Sequence, residues 1–442
     1  MTSTCRTIIE HGLLFRASPG SPEAENRIPA ADFDALRALL VDADDSDDGS
    51  EASGDTDTTT IPYARLLRLR NAGKELALQV RNFVGVLETP SGLQIEILPK
   101  VGATPEHARQ TLIRMLRASG RIPPIAAHQA SLRPVGLPLT DFFTSEFLQA
   151  VLHLLKRGLL SGYERLQGND RFLKGRLLVG QHLRHNLVRA DRFYVEHDHY
   201  RLNRAENRLI RRALEVVSSV SVLTANQKLC RELLFAFDDV PSSSQIAVDF
   251  EHCGKDRSLT HYADALMWAR LILLRLRPLG SGGQARVRAL LFPMERLFED
   301  CVGVGLRKCW QHPVHIRAQA GTQHLVTRNG TSYFQLRPDY LVEQGGHARR
   351  VVDAKWKLLD APSTATDKKY GLSQADLYQL YAYGNKYLSK DSARHVVLVY
   401  PRTDAFREPL PSLHYEDDHT LHVVPFDLDR FELIASPELL AI

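Results

Sequence analysis

Between residues 284 and 442, segments that read as helices take turns with segments that read as strands, and this alternation constrains the fold more than any other feature of the chain. Met294–Lys308 and Leu372–Leu388 are expected as helices. His324–Arg328, Tyr333–Glu343, Arg350–Leu358, His395–Tyr400 and Leu421–Pro425 are expected as strands. Elements in this order pack as helices on a sheet, so this third of the chain should be an α/β layer structure.

Within it, Val351-Val-Asp-Ala-Lys-Trp-Lys357 carries chemistry. Side chains along a strand alternate faces, so Asp353 and Lys355 share one face while Val352, Ala354 and Trp356 pack on the other. If the preceding strand returns through Gln344–Arg349 as a hairpin centred on Gly346, Asp339 of Arg337-Pro-Asp339 lies opposite Asp353. Directly opposed residues hold their β-carbons roughly 4.5–5.5 Å apart, close enough for two carboxylates to grip one cation. Paired carboxylates repel unless a cation sits between them, and hard Mg²⁺ prefers such oxygen ligands. Lys355 on the same face would orient or deprotonate a water and hold a phosphate. The expected chemistry is Mg²⁺-dependent phosphodiester hydrolysis, with Asp339, Asp353 and Lys355 catalytic.

Neighbouring residues extend the candidate site. Glu299, on the helix before the sheet, is either a third oxygen ligand for the metal or an exposed helix acid. Gln379 and Tyr383 lie four apart and so share a helix face; with Lys357 they are the candidate substrate contacts, the alternative for the aromatic being a place in the core.

The rest of the chain has a different texture. At 442 residues, two or three packed domains are expected. Residues 1–102 read as a β-rich domain with one helix at Ala30–Val41 and turns at Asn71-Ala-Gly and Pro90-Ser-Gly. Residues 41–60 hold eight acids and no bases, and are read as a disordered surface loop. Setting them aside turns the net charge from +4 to +12, which suits a polyanionic partner. Residues 103–283 form a helical middle: Thr104 caps a helix with Pro105 at its first position, and helices follow at about Asp141–Leu160, Ala205–Val220, Leu223–Phe237 and Leu259–Leu276. Pro278–Gly283 is the expected linker. The fold class is therefore α+β multidomain: a β-rich N-terminal domain, a helical middle and a C-terminal α/β domain over 284–442.

Several function classes are excluded or set aside. No stretch approaches the roughly 18 apolar residues of a membrane span and no secretory signal is evident, so a cytoplasmic protein without membrane contact is expected. Five scattered cysteines with no Cys-x-x-Cys pair argue against disulfides and zinc knuckles. His197 and His199 share a strand face, but no third ligand follows at a familiar spacing. Arg201, Arg204, Arg208, Arg211 and Arg212 cluster at one helix start, either as phosphate contacts or as a solvated face.

Taken together, these residues resemble McrC, the endonuclease subunit of the McrBC 5-methylcytosine restriction system. Leu336-Arg-Pro-Asp339 and Val352-Asp-Ala-Lys355-Trp-Lys357 are similar to the two core motifs of its PD-(D/E)xK nuclease domain. Leu297-Phe-Glu299 resembles the helix upstream, and Gln379-x-x-x-Tyr383 the Gln/Tyr motif shared with RecB-like nucleases. Asn82-Phe-Val-Gly-Val86, Ile95-Glu-Ile-Leu-Pro-Lys100, Leu173-Lys-Gly-Arg-Leu177 and the helix start at Asn207-Arg208 carry the resemblance outside the nuclease, over about residues 5–430. It implies a DNA endonuclease working on double-stranded DNA with a McrB-like AAA+ GTPase hexamer, whose GTPase it stimulates through its N-terminal part; Lys100 is a candidate for the ring contact. The chain has no G-x-x-x-x-G-K-[S/T] loop, so GTP would be bound by the partner. The alternatives are a stand-alone PD-(D/E)xK nuclease in DNA processing and a non-catalytic AAA+ activator or DNA-binding adaptor.

Overall fold

The computed structural model describes residues 5–18, 26–44, 66–124, 137–189, 191–221, 223–253, 257–275, 278–279, 287–359, 369–389, 393–416 and 418–441. Most of the acidic segment 41–60, the linker glycines and the side chains of His199 and Arg201 lie outside this description. The chain divides into two compact units: Leu137–Pro278 with residues 1–3 and 288–290, and Thr4–Gly136 with Leu279–Val287 and Leu291–Ile442. Among the described residues no helix is long and apolar enough to cross a membrane.

The larger unit begins with strand β1 (Cys5–Ile9), strands β2 (Leu13–Arg16) and β3 (Arg27–Ile28), helix α1 (Ala30–Asp44) and strands β4 (Leu67–Ala72), β5 (Glu75–Val80), β6 (Phe83–Glu88) and β7 (Gln94–Leu98). β3, β2, β5 and β4 form one small sheet, and β7 pairs parallel with β1 and antiparallel with β6. Every residue of β7 is buried, Glu96 included. Helix α2 (Pro105–Ala118) covers this strand and starts as the sequence predicts: the Thr104 hydroxyl accepts from the His107 N–H, and Pro105 occupies the first turn. Its apolar stripe, Leu112, Met115 and Leu116, is fully buried.

The smaller unit packs α3 (Leu139–Arg157), α5 (Ala205–Ser218), α6 (Thr224–Ala236) and α8 (Ala263–Arg275), with the short helix α7 (Ile246–His252). A three-stranded sheet of β8 (Gly162–Asp170), β10 (Phe193–Arg201) and β9 (Arg176–Leu177), with helix α4 (Val179–Asn186), interrupts the helices. Asn207 organises the start of α5: its amide donates to the carbonyls of Leu160 and Leu202 at 2.8 Å, and the buried Tyr262 hydroxyl donates to it at 2.7 Å. The arginines around it pair with groups of their own unit. Arg208 pairs with Asp249, Arg204 with Glu206 and Arg212 with Glu215, and Arg211 caps the carbonyls at the end of α6 and beyond. Among the described residues, Arg204, Arg208, Arg211 and Arg212 are thus engaged with their own fold. The helix expected from Leu259 opens with a 3₁₀ turn and becomes α-helical at Ala263.

After β11 (Pro278–Leu279) and β12 (Val287–Pro293) come α9 (Met294–Cys309), β13 (Val314–Ala318), β14 (Gln323–Arg328), β15 (Thr331–Leu336), β16 (Tyr340–Gln344), β17 (His347–Ala354), α10 (Gln374–Tyr387), β18 (Arg394–Pro401), β19 (Leu413–His414), β20 (His419–Asp427), β21 (Glu432–Leu433) and α11 (Pro437–Leu440). A seven-stranded mixed sheet runs β13-β16-β17-β18-β20-β19, with β21 beside β20, and the pairings β17–β18 and β18–β20 are parallel. The parallel core is buried on both faces, as its Val-rich strands require. Gly303 of α9 marks the closest approach of helix to sheet: a β-carbon there would lie 2.3 Å from the Tyr340 hydroxyl.

A pair of imidazoles near the far edge of this sheet has a pH consequence. His395 Nδ1 and His422 Nε2 lie 2.9 Å apart. Burial, then the neighbouring His395, Arg350 and His414, push His422 from 6.5 down to about 4. The unfolded chain therefore takes up a proton that the folded chain resists, and stability is lost as pH falls from 6.5 towards about 4. A thermal-unfolding series across that window should show the midpoint falling, and His422→Gln should flatten the slope. An unchanged slope in the variant would remove the imidazole pair as its cause.

Candidate active site

The hairpin β16–β17 turns on Gly345-Gly346, whose φ angles of 60° and 81° suit a two-residue turn that only glycine enters freely. From so tight a turn a regular ladder would set Asp339 opposite Val352 and send Asp353 to the other face. The register shifts between Val342 and Glu343: Glu343 faces Ala348, but Val342 faces Arg350 and Tyr340 faces Val352. Arg349 is the additional residue of this bulge. Extending the ladder by one step brings Asp339 opposite Asp353. The expected opposition holds although the turn is centred half a residue before Gly346. The long strand expected over Tyr333–Glu343 is broken at Arg337-Pro-Asp339 into β15 and β16, because Pro338 has no N–H for a ladder.

Asp353 ends β17 beside the parallel strand β18 and is 2% exposed; Asp339 is partly open to solvent. The Ala354 N–H donates to Asp339 Oδ2 at 2.8 Å. Lys355 Nζ lies 2.6 Å from Asp353 Oδ2. The contact is an ion pair by distance, yet that buried oxygen takes no aligned hydrogen bond. Lys355 also donates to Gln379 Oε1 at 3.3 Å. Burial raises the Asp339 carboxyl well above its ordinary range, and the charges of Asp353 and Glu299 add to it. Asp353 is raised too, by burial, with Lys355 opposing. Burial favours the neutral amine of Lys355, but the Asp353 carboxylate outweighs it and holds the ammonium charged.

Two carboxylates that meet at one place are the kind of oxygen donors a hard divalent cation takes. Asp339 and Asp353 fit such an ion. Glu299 stands one step back: the Gln319 side chain donates to Glu299 Oε1 and, at 3.4 Å, to Asp339 Oδ1, bridging the two acids. Among the described residues, no group of three or more His, Cys, Asp or Glu side chains is disposed as a metal site, so Glu299 would have to displace the Gln319 amide to join the aspartates. Nothing in the sequence pointed to Gln319. It lies on the unanticipated edge strand's exit with φ of 49°, and its N–H donates to the Asp339 carbonyl at 2.9 Å.

The remaining candidates are also near. Gln379 Nε2 donates to the Tyr383 hydroxyl at 2.7 Å, which donates in turn to the Arg337 carbonyl at 3.2 Å. Tyr383 is 5% exposed, so it braces the strand break leading to Asp339. Lys357 Nζ pairs with Asp376 at 2.7 Å and is half exposed.

Trp356, next to Lys355, is held from the opposite end of the chain. Its indole N–H donates to Glu10 Oε1, and the Lys100 ammonium donates to the Trp356 carbonyl at 2.9 Å while lying 5.3 Å from its ring centre. Phe298 of α9 packs on the same ring. Lys100 is thus engaged within this unit. Trp356→Phe keeps the ring but leaves the buried Glu10 carboxyl without its indole donor. It should cost about 1–3 kcal/mol in urea unfolding; an unshifted midpoint would mean that this N–H holds nothing.

A sequence model described as "McrBC 5-methylcytosine restriction system component" matches residues 78–401. No curated protein matches. Among solved structures, a chain in the refined half-complex from a tetradecameric assembly of Thermococcus gammatolerans McrB AAA+ hexamers with bound McrC is similar over 96% of this chain and 95% of its own, at 20% identity and a TM-score of 0.70. A chain in the cryo-EM structure of the Thermococcus gammatolerans McrBC complex is similar over 69% of this chain and 88% of its own, at 22% identity and a TM-score of 0.50.

Proposed function

The chain belongs to the family of McrBC 5-methylcytosine restriction system components, and we propose that it is the endonuclease subunit of such a system, cutting double-stranded DNA with Mg²⁺ while a separate AAA+ ring hydrolyses GTP. The observation that carries this reading is Asp339, just before β16, lying beside Asp353 at the end of β17, with Lys355 Nζ 2.6 Å from Asp353.

A bound Mg²⁺ would supply Lewis acidity towards a phosphodiester and activate water. Asp339 and Asp353 would hold it, with Glu299 as a further oxygen ligand once Gln319 yields. Lys355, kept charged by Asp353, holds the scissile phosphate and orients the attacking water; at neutral pH it is a poor base. Gln379 fixes the ammonium through its carbonyl oxygen, and Lys357 and Gln379 face the substrate with Tyr383 behind them. On this reading residues 284–442 carry the PD-(D/E)xK nuclease fold and 1–102 the part that meets the partner, while the helical middle is the compact unit Leu137–Pro278, since residues 103–136 pack with the larger unit.

One of the similar Thermococcus structures is of McrB AAA+ hexamers with bound McrC, and the other is of the McrBC complex. By that likeness this chain's partner is a McrB-like hexamer, which binds the GTP, and its place of work is the cytoplasm. The test is reconstitution of the full chain with its AAA+ partner on methylated plasmid. Double-strand cutting should need chain, partner, GTP and Mg²⁺ together. Cutting by the chain and Mg²⁺ alone would make it a stand-alone nuclease; GTPase stimulation without any cutting would make it a non-catalytic activator.

A further inference from the structure

Strands β14 and β15 form a two-stranded sheet of their own, joined by Asn329-Gly330 with φ angles of 51° and 79°. Ten of its twelve strand residues are exposed, among them Phe334 at 73%, Val326 at 48%, Tyr333 at 46% and Leu325 at 44%. Among the described residues no further strand pairs with either edge, and an exposed ribbon with apolar side chains is a liability for a free protein that is normally covered. Phe334 also sits at φ of 57°, where a bulky residue is strained.

The charge pattern says what kind of partner covers it. The chain carries 52 acids in 442 residues, yet none falls between Cys301 and Pro338, a stretch of 38 residues with five Arg and Lys, of which Arg328 and Arg337 flank the ribbon while Arg317 is paired with Glu343. Arg328 stands at the tip of the ribbon and Arg337 at its base. The base is pinned to the helix that lines the candidate site. The Tyr387 hydroxyl lies 2.7 Å from the carbonyl oxygens of both Ala320 and Leu336, to either of which it can donate, and the Gln323 N–H donates to that hydroxyl at 3.2 Å. Gln379, Tyr383 and Tyr387 lie one turn apart on α10, so one stripe of that helix touches Lys355, the Arg337 carbonyl and the foot of the ribbon. Only Arg337 and Pro338 separate the ribbon from Asp339.

We propose that the β14–β15 ribbon is the arm by which this chain grips duplex DNA beside the phosphate to be cut, an inference that rests on the nuclease reading above. A two-stranded ribbon is of the size a major groove admits. Phe334 and Tyr333 supply apolar contact with bases and sugars, and Arg328 meets the phosphate backbone.

Two variants of the full chain test it, both at exposed positions. Phe334→Asn keeps a residue that tolerates positive φ and removes the ring; Arg328→Gln removes the charge. Binding of a fluorescent duplex in EDTA should weaken about tenfold for the first. For the second, the slope of log affinity against log salt should fall by about one. A photo-crosslinking benzoylphenylalanine at position 334, placed in the chain assembled with its AAA+ partner, should label DNA. Crosslinks to protein alone, or unchanged affinity and salt slope in both variants of a chain that cuts DNA, overturn the proposal and leave the nuclease reading standing. DNA crosslinks in an assembly that never cuts would support the ribbon and count against the nuclease.

Discussion

Asp353→Asn should lower the rate of DNA cleavage by about 10³-fold or more, the scale of losing roughly 4 kcal/mol of charge stabilisation at the reacting phosphate. The substitution keeps the shape of the side chain and removes one of the carboxylates that crowd Asp339. It relieves the crowding of Asp339 and also takes from Lys355 its counter-charge, two changes of opposite sign, so the unfolding midpoint of the unliganded chain should move little. Stimulation of the partner's GTPase should survive. Three readings on one preparation separate the possibilities: cutting, GTP hydrolysis and the unfolding midpoint. A variant that still cuts near the wild-type rate would remove Asp353, and with it the proposed site, from the chemistry.

Arg109→Leu should have the largest effect on stability. Arg109 reaches from α2 to Glu96 on β7 with two hydrogen bonds, at 2.7 and 2.5 Å, and both residues are buried. The carboxylate raises the guanidinium's affinity for its proton, in spite of burial. Two charges in such a place cost much to desolvate, and each is tolerable because the other is there. Removing the guanidinium takes two charge-assisted hydrogen bonds from the buried Glu96, which keeps the Thr7 hydroxyl at 3.1 Å, a change expected to cost about 3–5 kcal/mol. Adding Glu96→Met to the same chain should recover most of that loss, since an apolar pair avoids the desolvation altogether. Urea unfolding of the single and double variants measures both; a double variant as unstable as the single one would mean that packing, and not charge, is at stake.

Local signals in the chain were legible wherever a local cause sufficed. The Thr104-Pro105 helix start, the bounds of α9 and α5 to within a residue or two and the buried stripe of α2 follow from capping and periodicity alone. The opposition of Asp339 and Asp353 was legible as a register, but the turn and the bulge that jointly produce it were not, since a bulge has no reliable mark in a single sequence. The edge strand β13 went unseen although Val-His-Ile-Arg-Ala alternates, because five residues directly after a helix and Pro313 are too short a run to stand out. Glu10 and Trp356 are 346 residues apart, and Gln319 acts through its amide from a strained turn. Contacts of that kind depend on the finished fold and leave no pattern within a window of the sequence.

The bulge at Arg349 also bears on what lengths this hairpin can take. It is a spare residue on one side of the ladder: a chain lacking Arg349 would run from the same glycine turn into an even ladder, with the aspartates still facing each other. A chain with one residue more on β17 would need a second irregularity to keep them so. Shortening by one is thus built in, lengthening is not, and relatives that share the site should differ in hairpin length mainly in that direction.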